Sequence, residues 1–400
     1  MKKPSLLIVF LSVFIDLIGF GIVIPLLPLY IKDFGAAGWM IGAISASFSL
    51  MQFLFAPAWG RLSDRIGRRP VLLISNAGAT VAYAMFAYAS TMTGPAALWV
   101  LLASRIFAGI AGANLSVASA YIADISPPEK RSQSMGLIGM AFGFGFIVGP
   151  ILGALSNKYL GLSGPGWVAA SLCAVNFLFG YLVLKESLKP SSEQAAKRAP
   201  LDQWSFFLRK PTVGFLIVSY FFATFCFAAF EITFGIFIVR ELGYKVEAIG
   251  YLLGYCGILA ALIQGGAIGK LVKRVGEPKL ISMSLFVTGA GLAILPYATT
   301  LPMVLIGLAV FAVGSGINRP PTFGLLSILT PASEQGAALG VAQSAGSLAR
   351  IIAPPFATVL LDRHPHTPYL VCSLISIVVG VFAWKRLGRK VNPASVAQSA

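Results

Sequence analysis

Apolar runs of membrane-spanning length recur through almost the whole of this 400-residue chain. A helix of about 20 apolar residues crosses a bilayer, whose interior offers no partner to an unpaired backbone group. The composition agrees, because 57% of the residues are hydrophobic and only 11% are charged, whereas a soluble protein carries about 25% charged residues. We therefore predict an all-α membrane protein with twelve transmembrane helices. The predicted spans are 5–30, 39–60, 71–90, 95–122, 133–157, 165–185, 211–238, 246–269, 279–298, 301–326, 335–361 and 367–386.

Lysine and arginine are distributed unevenly about these spans. With both termini placed in the cytoplasm, 22 of the 30 basic residues lie in cytoplasmic segments and five lie in outer loops. This is the bias that orients membrane proteins. It also explains the formal net charge of +16 without nucleic-acid binding. We therefore predict an integral protein of the cytoplasmic membrane, in which the N-terminal apolar run is a first span and not a signal peptide.

The chain contains an internal repeat. The segment 60–67, GRLSDRIG, aligns with 269–276, GKLVKRVG, and 126–150 aligns with 330–354. A polar stretch divides the spans into six and six, and a short interfacial helix is predicted in it around Trp204–Phe207. Two parallel repeats of six spans are typical of one large class of transporters. The predicted domains are an N-terminal half 1–186, a cytoplasmic linker 187–210 and a C-terminal half 211–400.

Four motifs carry a resemblance to a known family. Arg105 and Gly109 lie on the fourth span, and the run from Asp16 to Pro28 in the first span reads DLIGFGIVIPLLP. The third motif lies in a charged loop that is predicted to begin at Gly60, after the second span, and consists of Gly60, Asp64, Arg65, Gly67, Arg68 and Arg69. The fourth lies on the fifth span and consists of Gly145, Gly149, Pro150 and Gly153. With these motifs the chain resembles the major facilitator superfamily, and its first span resembles the tetracycline-efflux-like branch of drug:proton antiporters. The resemblance implies the major facilitator fold of two pseudo-symmetric six-helix halves.

Five charged residues lie deep within the apolar spans: Asp16, Arg105, Glu231, Arg319 and Arg350. A charge that faces lipid at this depth costs about 2.5–3.5 kcal/mol or more, so each is expected to face a cavity or a charged partner. A carboxylate in such a cavity can bind and release a proton when it is exposed to the two sides in turn. We predict Asp16 as the proton-coupling residue and Glu231 as the second candidate. Buried ion pairs between helices are the alternative interpretation.

Polar residues on several spans predict a substrate cavity. Gln343, Ser347 and Arg350 follow one another at helical spacing and form one polar stripe on the eleventh span. Arg105 is a fixed cation that can stabilise a neighbouring acid or bind an anionic group of a substrate. Hydrogen bonding between helices is the alternative role of the stripe. The predicted cavity residues are Arg105, Gln264, Asn318, Gln343, Ser347 and Arg350.

The charged motif and the glycine motif predict parts of a conformational switch. The family resemblance implies that Asp64 lies near the N-terminus of the eleventh span, around Ser333–Glu334, where the helix dipole favours a carboxylate. Arg65 and Arg69 are expected to pair with Asp124. The glycines of the fifth span, four residues apart, and the proline among them predict either a hinge or only a packing seam. The predicted gating residues are Gly60, Asp64, Arg65, Gly67, Arg68, Arg69, Asp124, Gly145, Gly149, Pro150 and Gly153.

These features predict a secondary active transporter that exports an amphiphilic small molecule, drug-like or an organic anion, in exchange for protons by alternating access. A uniporter or importer of an organic anion or a lipid-like solute is the alternative. The sequence shows no P-loop, no nucleophile–base pair and no metal-ligand spacing, and His364 and His366 fall in an outer loop. We therefore expect no enzymatic activity, no metal and no cofactor, with the proton gradient as the energy source. The expected partners are the substrate, protons and the lipid bilayer, and the protein is expected to be monomeric.

Overall fold

The computed structural model describes residues 5–23, 38–112, 114–188, 200–244 and 246–387. Within these ranges the chain forms helices joined by short turns, and no strand occurs. Eleven stretches of described helix are long and apolar enough to cross a membrane. The predicted second span forms a further helix of 29 residues. The predicted all-α membrane fold is therefore confirmed.

The described residues of the first half form seven α-helices: α1 (Leu6–Val23), α2 (Gly38–Ile66), α3 (Arg68–Ala89), α4 (Pro95–Ala111), α5 (Asn114–Ile125), α6 (Arg131–Leu160) and α7 (Gly164–Val183). Helices α4 and α5 together cover the predicted fourth span. Helix α4 begins with a proline, whose missing N–H costs nothing in the first helical turn, after Gly94 at φ 75°. Residues 24–30 of the predicted first span lie outside the described ranges.

In the second half, the part that the structure describes forms eight α-helices: α8 (Pro200–Arg209), α9 (Pro211–Leu242), α10 (Val246–Leu262), α11 (Ile268–Val275), α12 (Glu277–Ile294), α13 (Leu301–Ile328), α14 (Gln335–Arg363) and α15 (Thr367–Leu387). A π-helical turn, Ile263–Ala267, joins α10 to α11 within the predicted eighth span. Such turns are rare and occur frequently at functional sites. The short helix predicted around Trp204–Phe207 is present as α8. Residues 189–199 of the predicted linker lie outside the described ranges.

The prediction of a charged loop beginning at Gly60 was wrong. Helix α2 continues to Ile66 and α3 begins at Arg68, so Gly67 is the one residue between them. Arginine is a good helix former, and the charged residues of this segment therefore extend α2 beyond the apolar span. The break falls at Gly67 because its φ of 104° lies in a region that other residues rarely adopt.

The described helices form two compact units. The core of the first lies among α1, α3, α4 and α7, where Ile18, Phe86, Leu101 and Cys173 are buried together. Apolar side chains in such a core are closely packed, as in the interior of other proteins. The first unit comprises Met1–Ser126, Ala141–Pro200 and Ala332–Ser347.

The core of the second unit is rich in phenylalanine. Phe230 of α9 and Phe311 of α13 have ring centroids 4.1 Å apart, and Tyr369 of α15 is buried in the same cluster. Helices α6 and α14 each contribute to both units, because the divisions fall after Met140 and after Ser347. The domain boundaries inferred from the sequence repeat stay a prediction. The second unit comprises Pro127–Met140, Leu201–Pro331 and Leu348–Ala400.

Candidate functional site

Asp64, near the end of α2, is held by the beginning of α14. Its Oδ1 and Oδ2 accept hydrogen bonds from the backbone N–H groups of Gly336 and Ala337, each at 2.9 Å. Arg68 Nη1 donates to Oδ1 at 2.5 Å, and both side chains are buried. A carboxylate is favoured here because the first N–H groups of a helix have no partner within it. The contact lies two residues beyond the predicted Ser333–Glu334. We call Asp64, Arg68, Gly336 and Ala337 the first junction.

Glycines allow α2 and α14 to approach closely at the first junction. A Cβ atom at Gly60 would collide with the backbone carbonyl of Gly336. One turn further along α14, a Cβ atom at Gly340 would lie 2.7 Å from the carbonyl oxygen of Ala56. Backbone atoms cannot rotate away as the end of a side chain can. Gly60 of the predicted motif, together with Gly340 of α14, therefore allows the two helices to come this close.

The electrostatics of the first junction are finely balanced. Burial raises the pKa of Asp64 to about 6, while the charge and hydrogen bond of Arg68 and the two backbone N–H groups oppose this rise. Asp64 lies beyond the predicted span 39–60, at the end of the helix. Its protonation is therefore expected to change within the range of pH that cells experience.

Arg68 links the first junction to Asp124 at the end of α5. Arg68 Nε donates to Asp124 Oδ2 at 3.0 Å, and the Ser187 hydroxyl donates to the same oxygen at 2.9 Å. The prediction that Arg65 and Arg69 pair with Asp124 was wrong. Arg65 is exposed on the outer face of α2, and Arg69 Nη2 instead donates to the Tyr181 carbonyl at 2.7 Å. Arg68 begins α3, and its buried side chain lies between Asp64 and Asp124.

Sequence reasoning did not identify Glu186, which caps the N-terminus of α3. Its Oε1 accepts the N–H of Arg68 at 2.8 Å, and its Oε2 accepts the N–H of Arg69 at 3.1 Å. Gly67 supplies no capping side chain, so a distant carboxylate takes this role. A Cβ atom at Gly67 would collide with Glu186. An acid just after an apolar span, opposite a helix that lacks its own cap, was the signal in the sequence.

The second repeat forms a corresponding contact with different chemistry. By the repeat alignment, Lys273 stands at the position of Asp64 and Glu277 stands at that of Arg68. The Ser132 hydroxyl, at the start of α6, donates to Glu277 Oε1 at 3.1 Å. A Cβ atom at Gly269 would meet the side chain of Gln133, with Cδ 2.6 Å away. We call Ser132, Gln133, Gly269 and Glu277 the second junction.

Gln264, a predicted cavity residue, packs against glycines of α6. It lies in the π-helical turn, and a Cβ atom at Gly139 would overlap its side-chain amide. A Cβ atom at Gly136 would collide with its backbone carbonyl. Gly139 therefore leaves room for the side chain of Gln264, and Gly136 leaves room for its backbone. A role of Gln264 in a substrate cavity stays a prediction.

Asp16 lies in the middle of α1 and is bound by Asn176 of α7. Asn176 Nδ2 donates to Asp16 Oδ1 at 2.8 Å and to the Ser12 carbonyl at 2.9 Å. The carbonyl of Ser12 can only accept, so it fixes which end of the amide faces the acid. Asn176 is completely buried, whereas Asp16 is only partly buried. Sequence reasoning did not identify Asn176, although a lone amide within an apolar span is a detectable signal.

Arg105 of α4 is buried among aromatic rings of α3. Its Cζ lies 5.3 Å from the ring centroid of Phe86 and 5.7 Å from that of Tyr83. Its exposed fraction is 3%. Neither Nε nor Nη2 has a hydrogen-bond partner in the part of the chain that the structure describes. Arg105 is thus a charged donor surrounded by apolar and aromatic groups.

Glu231 of α9 and Arg350 of α14 form an ion pair within the second unit. Arg350 Nη1 lies 3.4 Å from Glu231 Oε2, and the two side chains are 41% and 42% exposed. An ion pair in the middle of apolar helices that is still exposed is accessible to a ligand or to water. The pairing explains how both charges are accommodated, and it does not decide between a structural and a transport role.

The remaining predicted cavity residues contact neighbouring helices. Ser347 is buried, and its hydroxyl lies 3.4 Å from Gln52 Oε1 of α2 and 3.2 Å from the carbonyl of Gln343. Asn318 of α13 donates from Nδ2 to the Ser284 hydroxyl at 2.9 Å. The contacts of Ser347 with Gln52 and of Asn318 with Ser284 are therefore hydrogen bonds between helices. Gln343 is partly buried on the same face of α14.

The glycine motif of α6 forms a close contact with α1. A Cβ atom at Gly149 would lie 2.7 Å from the Cα of Gly21, and one at Gly145 would lie 2.9 Å from the Cβ of Leu17. The helix is continuous through Pro150. A packing seam on α1 is therefore present, and Gly153 is buried on the same helix. The hinge role of these residues stays a prediction.

The two histidines form a local contact in the turn before α15. His364 Nδ1 accepts the backbone N–H of His366 at 3.3 Å. Within the described ranges, no group of three or more His, Cys, Asp or Glu residues is arranged to hold a metal ion.

Comparisons with known proteins agree on one family. The Major Facilitator Superfamily matches residues 9–283 and 265–399. The class E tetracycline resistance protein of Escherichia coli is 32% identical over 394 residues, which is 95% of each chain. Multidrug resistance protein 2 of Bacillus subtilis (strain 168) is 27% identical over 386 residues, which is 94% of each chain. The crystal structure of the human organic anion transporter MFSD10 matches with a TM-score of 0.83 and 26% identity, over 96% of this chain and 100% of that one. The chain therefore belongs to the Major Facilitator Superfamily and is an integral membrane transporter.

Proposed function

We propose that the protein is a proton-coupled antiporter that exports an amphiphilic small molecule by alternating access. The observation that carries this proposal is the environment of Asp16. It is a partly buried carboxylate in the middle of an apolar helix, with the amide of Asn176 held against one of its oxygens. An acid at this depth is costly unless it has a function or a partner. This partly buried carboxylate can take up a proton, while Asn176 holds the side chain in place.

Coupling follows if the proton and the substrate use the same cavity in turn. Asp16 releases a proton to the side that the cavity faces, and the charge change alters the affinity for the substrate. Glu231 is the second candidate for a proton site, because its ion pair with Arg350 is exposed. The conformational change would require the first junction to open and the α1–α6 seam to slide. No cofactor is needed, because the proton gradient supplies the energy.

The substrate class rests on chemistry and on the named relatives. Relatives of similar length are named for resistance to tetracycline and to multiple drugs. A structural neighbour is named an organic anion transporter. The deep arginines Arg105 and Arg350 are suited to a substrate with an anionic group. Uniport or import of an organic anion or a lipid-like solute is the second candidate, favoured by the same arginines.

The location and assembly of the protein form part of the proposal. We place it in the cytoplasmic membrane as a monomer, with both termini in the cytoplasm, because the basic residues lie mainly on that side. Cysteines introduced at Lys158 and at Lys270, in a background without the four native cysteines, would test the orientation. An impermeant maleimide added to whole cells should label the first position and not the second, and the reverse pattern would contradict the placement.

The decisive experiment measures transport of tetracycline and of 2-naphthoate, an amphiphilic organic anion, into inside-out vesicles under an imposed pH gradient. Asp16→Asn should abolish gradient-driven uptake, because the site can no longer release a proton. Binding of the transported compound to purified protein should survive and lose much of its dependence on pH between 5.5 and 8.5. Glu231→Gln serves as the matched variant on α9. Full gradient-driven uptake by Asp16→Asn would refute its role, and loss of coupling only in Glu231→Gln would transfer the role to α9.

A further inference from the structure

Four basic residues lie close together where α8 and α15 end and α9 begins. Arg209 is the last residue of α8, and Lys210 is the single residue between α8 and α9. Lys385 and Arg386 lie in the last turn of α15, which packs against α9. Arg386 reaches the start of α9, with its Cζ 5.6 Å from the ring centroid of Phe215. We call these four residues, Arg209, Lys210, Lys385 and Arg386, the basic cluster.

Aromatic rings position two cations of the basic cluster. Lys210 Nζ lies 4.3 Å from the ring centroid of Phe206 and 5.5 Å from that of Phe207. Phe207 is buried, so packing fixes the position of its ring. The attraction between a cation and the face of a ring restrains the side chain without neutralising its charge. Lys210 and, through Phe215, Arg386 are therefore positioned by the fold as well as by their place in the chain.

The chain around the basic cluster contains few acids. Asp202 lies in the first turn of α8, two turns before Arg209. No Asp or Glu occurs between Gln203 and Phe230, and none occurs in α15. Like charges held near one another repel, and this repulsion is relieved when an anion binds among them. The basic cluster therefore favours an anionic partner.

Apolar side chains are exposed one helical turn away from the cations, toward the middle of the spans. Phe382 lies four residues before Arg386 and shares its face of α15. Val381 has the same relation to Lys385. Both apolar residues are exposed, as is Val218 of α9. Cations at the end of a span with exposed apolar groups beside them match a phospholipid, whose phosphate lies at the membrane surface and whose acyl chains lie below it.

We propose that the basic cluster binds the phosphate of an anionic phospholipid, whose acyl chains lie against α9 and α15. A zwitterionic lipid fits less well, because its headgroup adds another cation where acids are few. The phosphate contacts residues at the ends of α8 and α15 and at the start of α9, so the bound lipid holds α8 against the other two helices. The site contains none of the residues proposed for transport, and it depends neither on the substrate nor on proton coupling.

The test compares soluble dioctanoyl phosphatidylglycerol with dioctanoyl phosphatidylcholine, which have the same acyl chains. Binding to the purified full-length protein in a neutral detergent is measured by microscale thermophoresis. The anionic lipid should bind at least about tenfold more tightly than the zwitterionic one. Lys210→Gln and Arg386→Gln should each weaken its binding about fivefold, and together about thirtyfold, since each basic residue adds to the attraction. The double variant should also reduce the dependence of binding on the NaCl concentration.

Lys158→Gln is the matched control, because Lys158 also lies over an aromatic ring near the end of a helix, with its Nζ 5.4 Å from the Tyr159 centroid. It should keep the full preference for phosphatidylglycerol. Equal binding of the two lipids by the parent protein, or an unchanged preference in the double variant, would overturn the inference. If the double variant does not fold, an unchanged preference in both single variants has the same consequence. Glycerol 1-phosphate, which lacks acyl chains, should bind at least about tenfold more weakly than phosphatidylglycerol, and equal binding would show a site for soluble phosphates instead.

Discussion

The first and second junctions occupy equivalent positions in the sequence repeat, yet they are built differently. At the first, Asp64 accepts two backbone hydrogen bonds from the start of α14 and pairs with Arg68. At the second, the carboxylate of Glu277 accepts one hydrogen bond from the Ser132 hydroxyl. Acid and base have exchanged places along the chain, since Lys273 and Glu277 replace Asp64 and Arg68. The two halves of the repeat therefore make a contact at the same position, and this contact has more hydrogen bonds at the first junction than at the second.

The glycines of the two junctions differ in the same direction. Gly60 faces the backbone of Gly336, which cannot move without moving α14. Gly269 faces the side chain of Gln133, which can take another rotamer. An added side chain would therefore be tolerated less well at the first junction than at the second. We infer that the first junction determines whether this end of the transporter is closed, and that the second mainly aligns its helices.

The largest expected difference follows from removing the acid of each junction. Asp64→Asn replaces one carboxylate oxygen by an NH2 group that cannot accept a hydrogen bond, so the N–H of Gly336 or Ala337 is left buried without a partner and the closed first junction should be destabilised by about 1–3 kcal/mol. Glu277→Gln removes one hydrogen bond from a hydroxyl and should cost the second junction about 0.5–1.5 kcal/mol. Transport should fall strongly in the first variant and slightly in the second. The measurement is uptake into vesicles at matched expression.

A buried cysteine near each junction reports its opening. Ser344→Cys lies on α14, where the native hydroxyl contacts the carbonyl of Phe53, and Ile268→Cys lies on α11 beside Gly136. In a background without the native cysteines, Asp64→Asn should accelerate maleimide labelling of the first and leave the second unchanged. Equal effects of the two acid variants on labelling and on transport would contradict the asymmetry.

A difference no larger than this is expected from adding one methyl group to each junction. Gly60→Ala would press a Cβ atom against the carbonyl of Gly336 and should destabilise the closed first junction by about 1–3 kcal/mol. Gly269→Ala should cost about 0.5–1.5 kcal/mol, because Gln133 can change its rotamer. Thermal unfolding in detergent measures both, and labelling of Ser344→Cys and of Ile268→Cys reports the first and the second junction, respectively. A greater loss in Gly269→Ala would show that the second junction is the tighter one.

The smallest effect concerns pH and should appear only at the first junction. In the closed junction, burial raises the pKa of Asp64 to about 6 from the ordinary value of 3.8. The closed form therefore binds a proton more readily than the open form, and its stability decreases as pH rises through about 6. Between pH 7 and pH 5, labelling of Ser344→Cys should slow relative to the same cysteine in Asp64→Asn. The ratio of the two labelling rates corrects for the pH dependence of the thiol itself. A ratio that stays constant between pH 7 and pH 5 would exclude titration of Asp64 in this range.

The apolar runs were sufficient to predict the fold, because a bilayer leaves a chain with such runs no alternative to helices. The repeat and its motifs were likewise sufficient to predict the family. The ends of the helices were less predictable. The chain between Gly60 and Gly67 is helical because arginine propagates a helix as well as an apolar residue does, and its charge alone suggested a loop. The sequence also indicated that the deep charges were important, without indicating their partners.

The partners of the polar residues were decided only by the tertiary structure. Asn176 and Asp16 are 160 positions apart, and Glu186 lies 118 positions from the N–H of Arg68 that it accepts. Sequence spacing predicts which residues share a face of one helix, since the helical period is fixed. It cannot predict which faces of two helices meet, because that depends on how side chains of both fill the space between them. The sequence alone thus determined the membrane-spanning helices, the repeat and the family, and the packing decided that Arg68, not Arg65 or Arg69, reaches Asp124.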